Sequence, residues 1–227
     1  MQAVNIEGKD ISRVFLIDDD PSVRDLYQFH LDDVHVETEK VVSISGMDQL
    51  LQASNDHDGF VCDFHLNNSR YSPINGDVIV SGLYQKKIPA VLCSRDVDTV
   101  SSVRRLRHSI PCIIEARDLN VDSIMQSFAT CIREFSGNFS KERRPWPTLI
   151  RIENIVQRSP TFLRVAVVIP GWEPQSIVEV DILKAEVGLC ADIIKAIDGG
   201  DVFRCKAQVN LDSESQRDVY VKDWVLI

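Results

Sequence analysis

Residues 14–21 read Val-Phe-Leu-Ile-Asp-Asp-Asp-Pro, four apolar residues followed at once by three carboxylates. A short continuous apolar run is typical of a strand that is buried on both faces, as in a parallel sheet. Adjacent carboxylates repel one another, so we expect a cation beside Asp18, Asp19 and Asp20. A hard divalent cation with oxygen ligands fits that chemistry. The proline predicts that a helix begins at Pro21, with Asp20 as its N-cap.

Apolar runs and amphipathic patterns alternate through the following hundred residues. The predicted strands are 13–17, one strand within 34–45, 59–63, 89–94 and 110–114. The predicted helices are 21–31, 47–53, 76–84, a helical face formed by Val97, Val100, Val103 and Leu106, and a long amphipathic helix over 121–135. Five strand–helix units in a row predict a parallel sheet with helices on both faces.

Polar side chains stand where several of these strands end. Asp18 and Asp19 follow the first strand, Asp63 ends the third, and Ser94 ends the fourth. Functional groups of open parallel sheets gather at the carboxyl ends of the strands, near the switch point in strand order. We therefore expect these side chains to converge.

With this pattern, residues 11–138 resemble a receiver domain of two-component signalling. The acidic pair Asp18 and Asp19, the strand-end Asp63 and Ser94, and the dipeptide Asn75-Gly76 match the family's motifs. The resemblance implies a flavodoxin-like (βα)5 fold. It also implies a Mg²⁺ ion, which the family binds directly through residues matching Asp19, Asp63 and the backbone carbonyl of His65, and through water by the residue matching Asp18.

The resemblance further implies the chemistry of Asp63. Its carboxylate would accept a phosphoryl group from a sensor histidine kinase or a phosphotransfer protein. Ser94 would then hydrogen-bond the phosphoryl group and draw the following loop inward. Apart from autophosphorylation and autodephosphorylation, we expect no enzyme activity.

The cationic part of the family pattern is absent. No lysine occurs between Lys87 and Lys141, whereas the family has one after the fifth strand; that position falls near residues 115–116. Arg117 is a candidate substitute, although a planar guanidinium does not replace a compact ammonium conservatively. The family's aromatic switch position falls at Cys112 or Ile113, neither of which is aromatic.

Two alternatives stay open. One is a pseudo-receiver that works as a protein-interaction module without phosphorylation. The other is a phosphatase resembling the haloacid dehalogenases, with Asp18 as the nucleophile and Asp20 as the general acid. That family needs a lysine after the motif containing Ser94, and it leaves Asp63 unexplained.

A proline-rich, locally basic stretch divides the chain. We expect a receiver domain at 1–138, a linker at 139–148 and a second domain at 149–227. Strand patterns at 149–156, 161–169, 176–182, 203–211 and 218–227 surround one helical face that contains Val187, Cys190, Ile193, Ile194 and Ile197. The order β-β-β-α-β-β predicts a small, mostly-β barrel of OB type, with PilZ-like or SH3-like barrels as alternatives.

Charge argues against nucleic acid as the main partner. Residues 1–138 carry 13 Lys and Arg against 21 Asp and Glu, whereas residues 139–227 carry 12 against 13. Arg151, Arg158 and Arg164 form, together with the basic linker, only a weak candidate patch, and Trp172 is the one loop aromatic of the second domain. We therefore favour a downstream protein partner. The basic run 104–107 with His108 is interpreted as a solvated helix end.

The remaining features favour a cytoplasmic protein. No apolar run approaches the roughly 18 residues that a membrane span needs, and the first ten residues lack the pattern of a signal peptide. The six cysteines are scattered without a Cys-x-x-Cys pair, which is typical of buried thiols in a reducing compartment.

Overall fold

The chain folds into two compact units. The computed structural model describes residues 3–66, 70–95, 103–185 and 188–227. The first unit consists of residues 1–99 and 109–139. The other takes residues 100–108 together with residues 140–227, so the described segment 103–108 groups with the C-terminal strands.

The first unit is built on a parallel sheet of five strands. Its strands are β3 (Arg13–Ile17), β4 (Glu37–Lys40), β5 (Asp58–Asp63), β6 (Ala90–Ser94) and β7 (Ile113–Glu115), in the order β4-β3-β5-β6-β7. Every neighbouring pair is parallel. Counted within this sheet, the order is 2-1-3-4-5, which is that of flavodoxin-like folds. The α/β fold expected for this half of the chain is therefore confirmed.

Among the described residues, four α-helices accompany these strands. They are α1 (Pro21–Leu31), α2 (Met47–Ala53), α3 (Gly76–Gln85) and α4 (Val121–Phe135). The central strand β5 is buried at all six residues, and the rings of Phe15 and Phe60 stack with centroids 4.6 Å apart. Phe128 of α4 packs so closely on β5 that a Cβ at Gly59 would lie 2.6 Å from its ring.

Most element bounds match the predicted ones, and the N-cap at Asp20 is confirmed because its Oδ1 accepts from the amide of Ser22 at 2.8 Å. The hairpin of β1 (Val4–Ile6) and β2 (Lys9–Ile11) was not predicted. Its turn places Glu7 and Gly8 at positive φ, as a two-residue type I′ turn requires. Glutamate is an uncommon residue for that turn, so the sequence signal was weak.

The helix predicted between the fourth and fifth strands, from the helical face formed by Val97, Val100, Val103 and Leu106, differs from the structure where residues are described. Val97 and Val100 lie outside the described residues. From Arg104 to Ser109 the chain forms a 3-10 helix. The following strand begins at Ile113, three residues later than predicted.

Among its described residues, the second unit contains an antiparallel sheet of five strands and one α-helix. The strands are β8 (Trp146–Arg158), β9 (Phe162–Ile169), β10 (Glu173–Leu183), β11 (Phe203–Val209) and β12 (Val221–Leu226), in the order β10-β9-β8-β11-β12. Helix α5 (Cys190–Asp198) follows β10, which confirms the predicted element order; Val187 lies outside the described residues. Ile152, Val165 and Ile193 are among the buried residues of its core.

The stretch expected to be a linker contains regular structure. A 3-10 helix spans Lys141–Arg143, and β8 begins at Trp146. Arg143 is buried, and its guanidinium donates to the carbonyl oxygens of Arg107 and His108. The hydroxyl of Tyr220 donates in turn to the carbonyl of Arg143 at 2.6 Å.

The interpretation of residues 104–108 as a solvated helix end is wrong. Arg107 is buried, and its guanidinium forms two hydrogen bonds with Oδ1 of Asp218, at 2.9 and 3.3 Å. His108 lies beside the ring of Tyr220, and burial lowers its pKa to about 4. Sequence periodicity could not reveal this packing because its partners lie more than 30 residues away.

Two further observations concern the predicted location. Among the described residues, no helix is long and apolar enough to cross a membrane. Five of the six cysteine thiols are buried, and Cys112 is half-buried.

Candidate functional site

Two aspartates flank the switch point of the parallel sheet. β3 and β5 are neighbours, and the chain leaves β3 toward β4 on one side of the sheet while β5 continues to β6 on the other. Asp18 follows β3 directly and Asp63 is the last residue of β5. Such a position is where ligands bind in open α/β sheets.

Asp18 is buried, and its two carboxylate oxygens and its backbone carbonyl all accept hydrogen bonds. Its Oδ1 accepts from the amide of Asp20 at 2.8 Å, and its Oδ2 accepts from the hydroxyl of Tyr27 at 3.1 Å. The guanidinium of Arg24 donates to the Asp18 backbone carbonyl. Burial raises the pKa of Asp18 to about 6, and the negative charge of Asp63 adds to this increase. With both carboxylate oxygens already bonded, Asp18 is suited to an indirect role.

Asp63 is also buried but is less constrained. Its Oδ2 accepts from the amide of His65 at 2.8 Å. Burial raises the pKa of Asp63, whereas the His65 amide and the positive charge of Arg95 act to lower it. Two buried carboxylates that repel each other would gain from a cation between them.

Asp19 is the half-buried carboxylate beside this pair, and its side chain forms no hydrogen bond or ion pair with any described residue. Among the described residues, no group of three Asp, Glu, His or Cys side chains is placed to hold a metal ion. Mg²⁺ keeps several waters and needs only one or two carboxylates. Asp19 and Asp63, with a nearby main-chain carbonyl, therefore fit such an ion in donor type.

The dipeptide Asn75-Gly76 brings the start of α3 against the end of β5. The amide of Gly76 donates to the carbonyl of Phe64 at 3.0 Å, and Asn75 Oδ1 accepts from the amide of Leu66. A Cβ at Gly76 would lie 1.9 Å from the carbonyl oxygen of Asp63. Only glycine, which has no Cβ, allows the backbone at position 76 to approach the strand end so closely.

The hydroxyl-bearing residue Ser94 ends β6 and is buried, and β6 pairs with β5 so that Cys93 faces Asp63 across the ladder. The next residue, Arg95, acts electrostatically on Asp18, Asp20 and Asp63 in the direction that lowers their pKa values. Arg95 was not among the predicted site residues. Its position one residue beyond a strand end was the available signal.

Arg117, the substitute cation expected from the sequence, lies in a different environment. Its side chain is 78% exposed and forms ion pairs with Glu115 at 2.7 Å and with Asp118 at 3.7 Å. The guanidinium therefore neutralises the carboxylate of Glu115, which pairs with Ser94 in the ladder. Burial raises the pKa of Asp63, and the arginine whose positive charge opposes this increase is Arg95.

Several of the solved structures similar to this chain are receiver domains of response regulators. A receiver domain from Clostridium thermocellum is 11% identical, with 56% of this chain and 98% of that chain covered and a TM-score of 0.44. The receiver domain of NtrX from Brucella abortus is 21% identical, with 53% and 98% covered and a TM-score of 0.40.

A third similar structure is the response regulator TrrA from Thermotoga maritima, solved in complex with Mg²⁺ and BeF. It is 15% identical, with 53% of this chain and 99% of that chain covered and a TM-score of 0.41. No family model matches the chain. No curated protein matches it either.

The basic patch considered in the second domain is largely neutralised. Arg151 pairs with Glu153, Arg158 with Asp198, and Arg164 with Asp181. Trp172 donates from Nε1 to the carbonyl of Ser213 at 2.8 Å and packs against the core. These contacts leave the three arginines of the predicted patch with little free positive charge for a nucleic-acid backbone.

Proposed function

We propose that this protein is a response regulator whose Asp63 accepts a phosphoryl group and whose C-terminal β domain receives the resulting signal. The observation that carries the proposal is the pair Asp18 and Asp63 at the switch point of the sheet. Both carboxylates are buried and their pKa values are raised, in a position where ligands of such folds bind.

The transfer step follows from the carboxylate of Asp63. One of its oxygens would attack the phosphorus of a phosphohistidine, forming an O–P bond as the N–P bond breaks, and the histidine nitrogen takes up a proton. The His65 amide orients the carboxylate, and Ser94 would donate to the acquired phosphoryl oxygens. Arg95 would balance part of the added negative charge.

A Mg²⁺ ion fits the remaining acidic groups. Asp19, Asp63 and the backbone carbonyl of His65 would hold it, and Asp18 would act through a bound water. When bound, the ion neutralises charge on the transferring phosphoryl oxygens, which is a large part of what this reaction requires.

The signal would leave through the segment after Ser94. Residues 103–108 follow β6 in the chain yet belong to the second compact unit, where Arg107 binds Asp218 and Arg143 binds two carbonyl oxygens of the segment. A change in the chain just after Ser94 therefore has a covalent route into the β domain.

This proposed role implies particular interaction partners and a cellular location. The phosphoryl donor would be a sensor histidine kinase or a phosphotransfer protein, and the β domain would contact a downstream protein rather than nucleic acid. We expect a cytoplasmic protein without enzyme activity beyond its own phosphorylation and dephosphorylation. An OB-like closure of the β domain remains part of this proposal.

The same residues bear on the two alternatives, the pseudo-receiver and the phosphatase. Arg117 faces its own acidic neighbours, so a pseudo-receiver that lacks the usual cation is the stronger competitor. The phosphatase alternative needs Asp18 as a nucleophile. Burial of Asp18 and the engagement of both its oxygens speak against that role.

The test uses beryllofluoride with Mg²⁺ on the full chain, read in two ways. Bound beryllofluoride is detected by ¹⁹F NMR, and transmission is detected by tryptophan fluorescence, because all three tryptophans (Trp146, Trp172 and Trp224) belong to the second unit. Wild type is expected to give both signals. Asp63→Asn should give neither, whereas the control Asp122→Asn, at an exposed position of α4, should behave as wild type.

The outcomes separate the candidates. Bound beryllofluoride without a fluorescence change would retain the phosphoacceptor but reject transmission to the β domain. No Asp63-dependent binding would favour the pseudo-receiver. Hydrolysis of a phosphomonoester that is lost in Asp18→Asn would favour the phosphatase.

A further inference from the structure

The second unit contains a cleft with an unusual concentration of arginine. It measures about 570 Å³, within the range of small-molecule sites. Four of the described arginines line it: Arg104, Arg105, Arg164 and Arg217. The carboxylates among its described lining residues are Glu179 and Asp181, so these residues make the cleft net positive in a chain whose formal charge is −9.

Three of the four guanidinium groups have no carboxylate partner among the described residues. Arg164 is the exception, because its Nε and Nη2 bind the two oxygens of Asp181 at 2.7 and 2.9 Å. Arg105 and Arg217 form no side-chain hydrogen bond or ion pair with any described residue. The second carboxylate, Glu179, is exposed and free to turn toward water.

Arg104 supplies an independent observation. Its Nη1 donates to the backbone carbonyl of Glu179 at 3.2 Å, but its Nε is buried without a hydrogen-bond partner. Burial acts to lower the pKa of Arg104, although the charges of Glu179 and Asp218 oppose this. A buried N–H of a cation without an acceptor is uncommon, and an anion in the cleft would supply one.

The walls of the cleft are fixed by the fold. Gln216 donates from Nε2 to the carbonyl of Ile177 at 2.6 Å, which ties the loop before β12 to β10. The neighbouring bond between Arg107 and Asp218 holds the 3-10 helix against that loop. The arginines therefore come from three separate parts of the chain, which converge on one cleft.

We infer that this cleft binds a small phosphorylated molecule through Arg104, Arg105 and Arg217. Guanidinium groups bind phosphate oxygens in bidentate geometry, and several around one cleft favour a ligand with at least two negative charges. Of the described residues that line the cleft, Ile177 alone is apolar, so we expect the rest of the ligand to be predominantly polar. This inference goes beyond the proposed function, since it does not require phosphorylation of Asp63.

The binding test uses the full chain carrying Asp63→Asn, without Mg²⁺, so that the phosphoacceptor site does not contribute. Inorganic pyrophosphate and adenosine monophosphate are titrated by calorimetry at about 0.15 M salt, where distant charges are screened. We expect saturable binding of one ligand per chain. Tighter binding of the nucleotide would indicate an organic phosphate, and equal binding would indicate recognition of the phosphate alone.

Variants locate the site. Arg105→Gln and Arg217→Gln remove side chains without partners and should each weaken binding about tenfold or more while leaving the melting temperature unchanged. Arg105→Lys should retain part of the affinity. Arg151→Gln, on the same sheet but outside the cleft, is the control and should bind as the parent does.

Three results would overturn the inference. One is the absence of saturable binding up to millimolar ligand. Another is equal affinity in all variants, which would indicate unspecific attraction. The third is binding of a single-stranded oligonucleotide that needs Arg105 and Arg217 while neither small phosphate binds.

Discussion

Burial raises the pKa of Asp18, and the carboxylate of Asp63, its neighbour at the switch point of the parallel sheet, raises it further. The two residues come from strands that pair directly, with Ile17 opposite Cys62 just before them. Their repulsion persists because the surrounding core holds both strands in place. Because the two carboxylates repel each other, binding of a cation between them or protonation of one of them is favoured.

The first prediction concerns the pH dependence of stability. The pKa of Asp18 is about 6 in the folded protein, above its ordinary value of 3.8. The folded state thus binds the proton more tightly, and this contribution to stability is present at low pH and is lost as the pH rises through about 6. Asp18→Asn should therefore stabilise the protein at pH 7.5, by on the order of 1–2 kcal/mol, in urea unfolding without Mg²⁺.

The same variant should show no advantage at pH 4, where Asp18 is protonated. Asp33→Asn, at an exposed position after α1, is the control and should change stability little at either pH. A stabilisation of Asp18→Asn that does not vary with pH would contradict the argument.

The second prediction compares two cations. Arg95 acts on Asp63, whereas Arg117 is exposed and paired with Glu115. Arg95→Gln should weaken beryllofluoride binding several-fold, because the bound state gains negative charge next to this residue. Arg117→Gln should have little effect. Binding is measured by ¹⁹F NMR, and the opposite ranking would make Arg117 the functional cation.

The third prediction concerns the contact of α3 with β5. Gly76→Ala would force a Cβ against the Asp63 carbonyl, so the helix or the strand end must move. We expect a destabilisation of about 1–3 kcal/mol or more and weaker beryllofluoride binding. Gly188→Ala is the matched control, because nothing lies within 4 Å of its added Cβ.

Equal stability of the two glycine variants would mean that α3 can move away from β5 at little cost. The measurement is urea unfolding followed by circular dichroism, which reports both units.

The fourth prediction concerns transmission. Arg107→Gln removes the ion pair with Asp218, which loosens the 3-10 helix within the second unit. We expect the fluorescence response to beryllofluoride to decrease strongly while ¹⁹F NMR still reports binding at Asp63. The control is Arg158→Gln, which removes an exposed ion pair of the same unit.

A normal fluorescence response in Arg107→Gln would exclude this contact from the route. Loss of beryllofluoride binding in the same variant would show instead that the residue supports the acidic site.

Much of the first unit could be predicted because its signals are local. The apolar run before Asp18, the cap at Asp20 and the periodicity of α4 report directly on strand and helix formation. The gathering of Asp18 and Asp63 at one edge also follows from the sequence, because parallel strands bring their carboxyl ends together. The start of the fifth strand was predicted three residues too early, because residues 110–112 are as apolar as the strand itself.

The charges around the site could not be predicted in the same way. Arg117 was the candidate because it stood nearest to a missing lysine, but Glu115 and Asp118 attract its guanidinium. Arg95 acts on the site because the chain turns there after β6. Which of two nearby arginines approaches a carboxylate depends on the direction of the backbone and on competing ion-pair partners. The spacing of residues in the sequence predicts neither of these two factors.

The sequence by itself determined the alternation of strands and helices, the acidic edge of the parallel sheet and the β-β-β-α-β-β order of the second half. Those properties follow from hydrophobic periodicity and from capping residues close in the chain. Only the tertiary structure assigned residues 103–108 to the second unit and joined Arg104 and Arg105 to Arg217 in one cleft. The reason is physical: burial of Arg107 on Asp218 depends on partners over a hundred residues apart, and only folding brings them together.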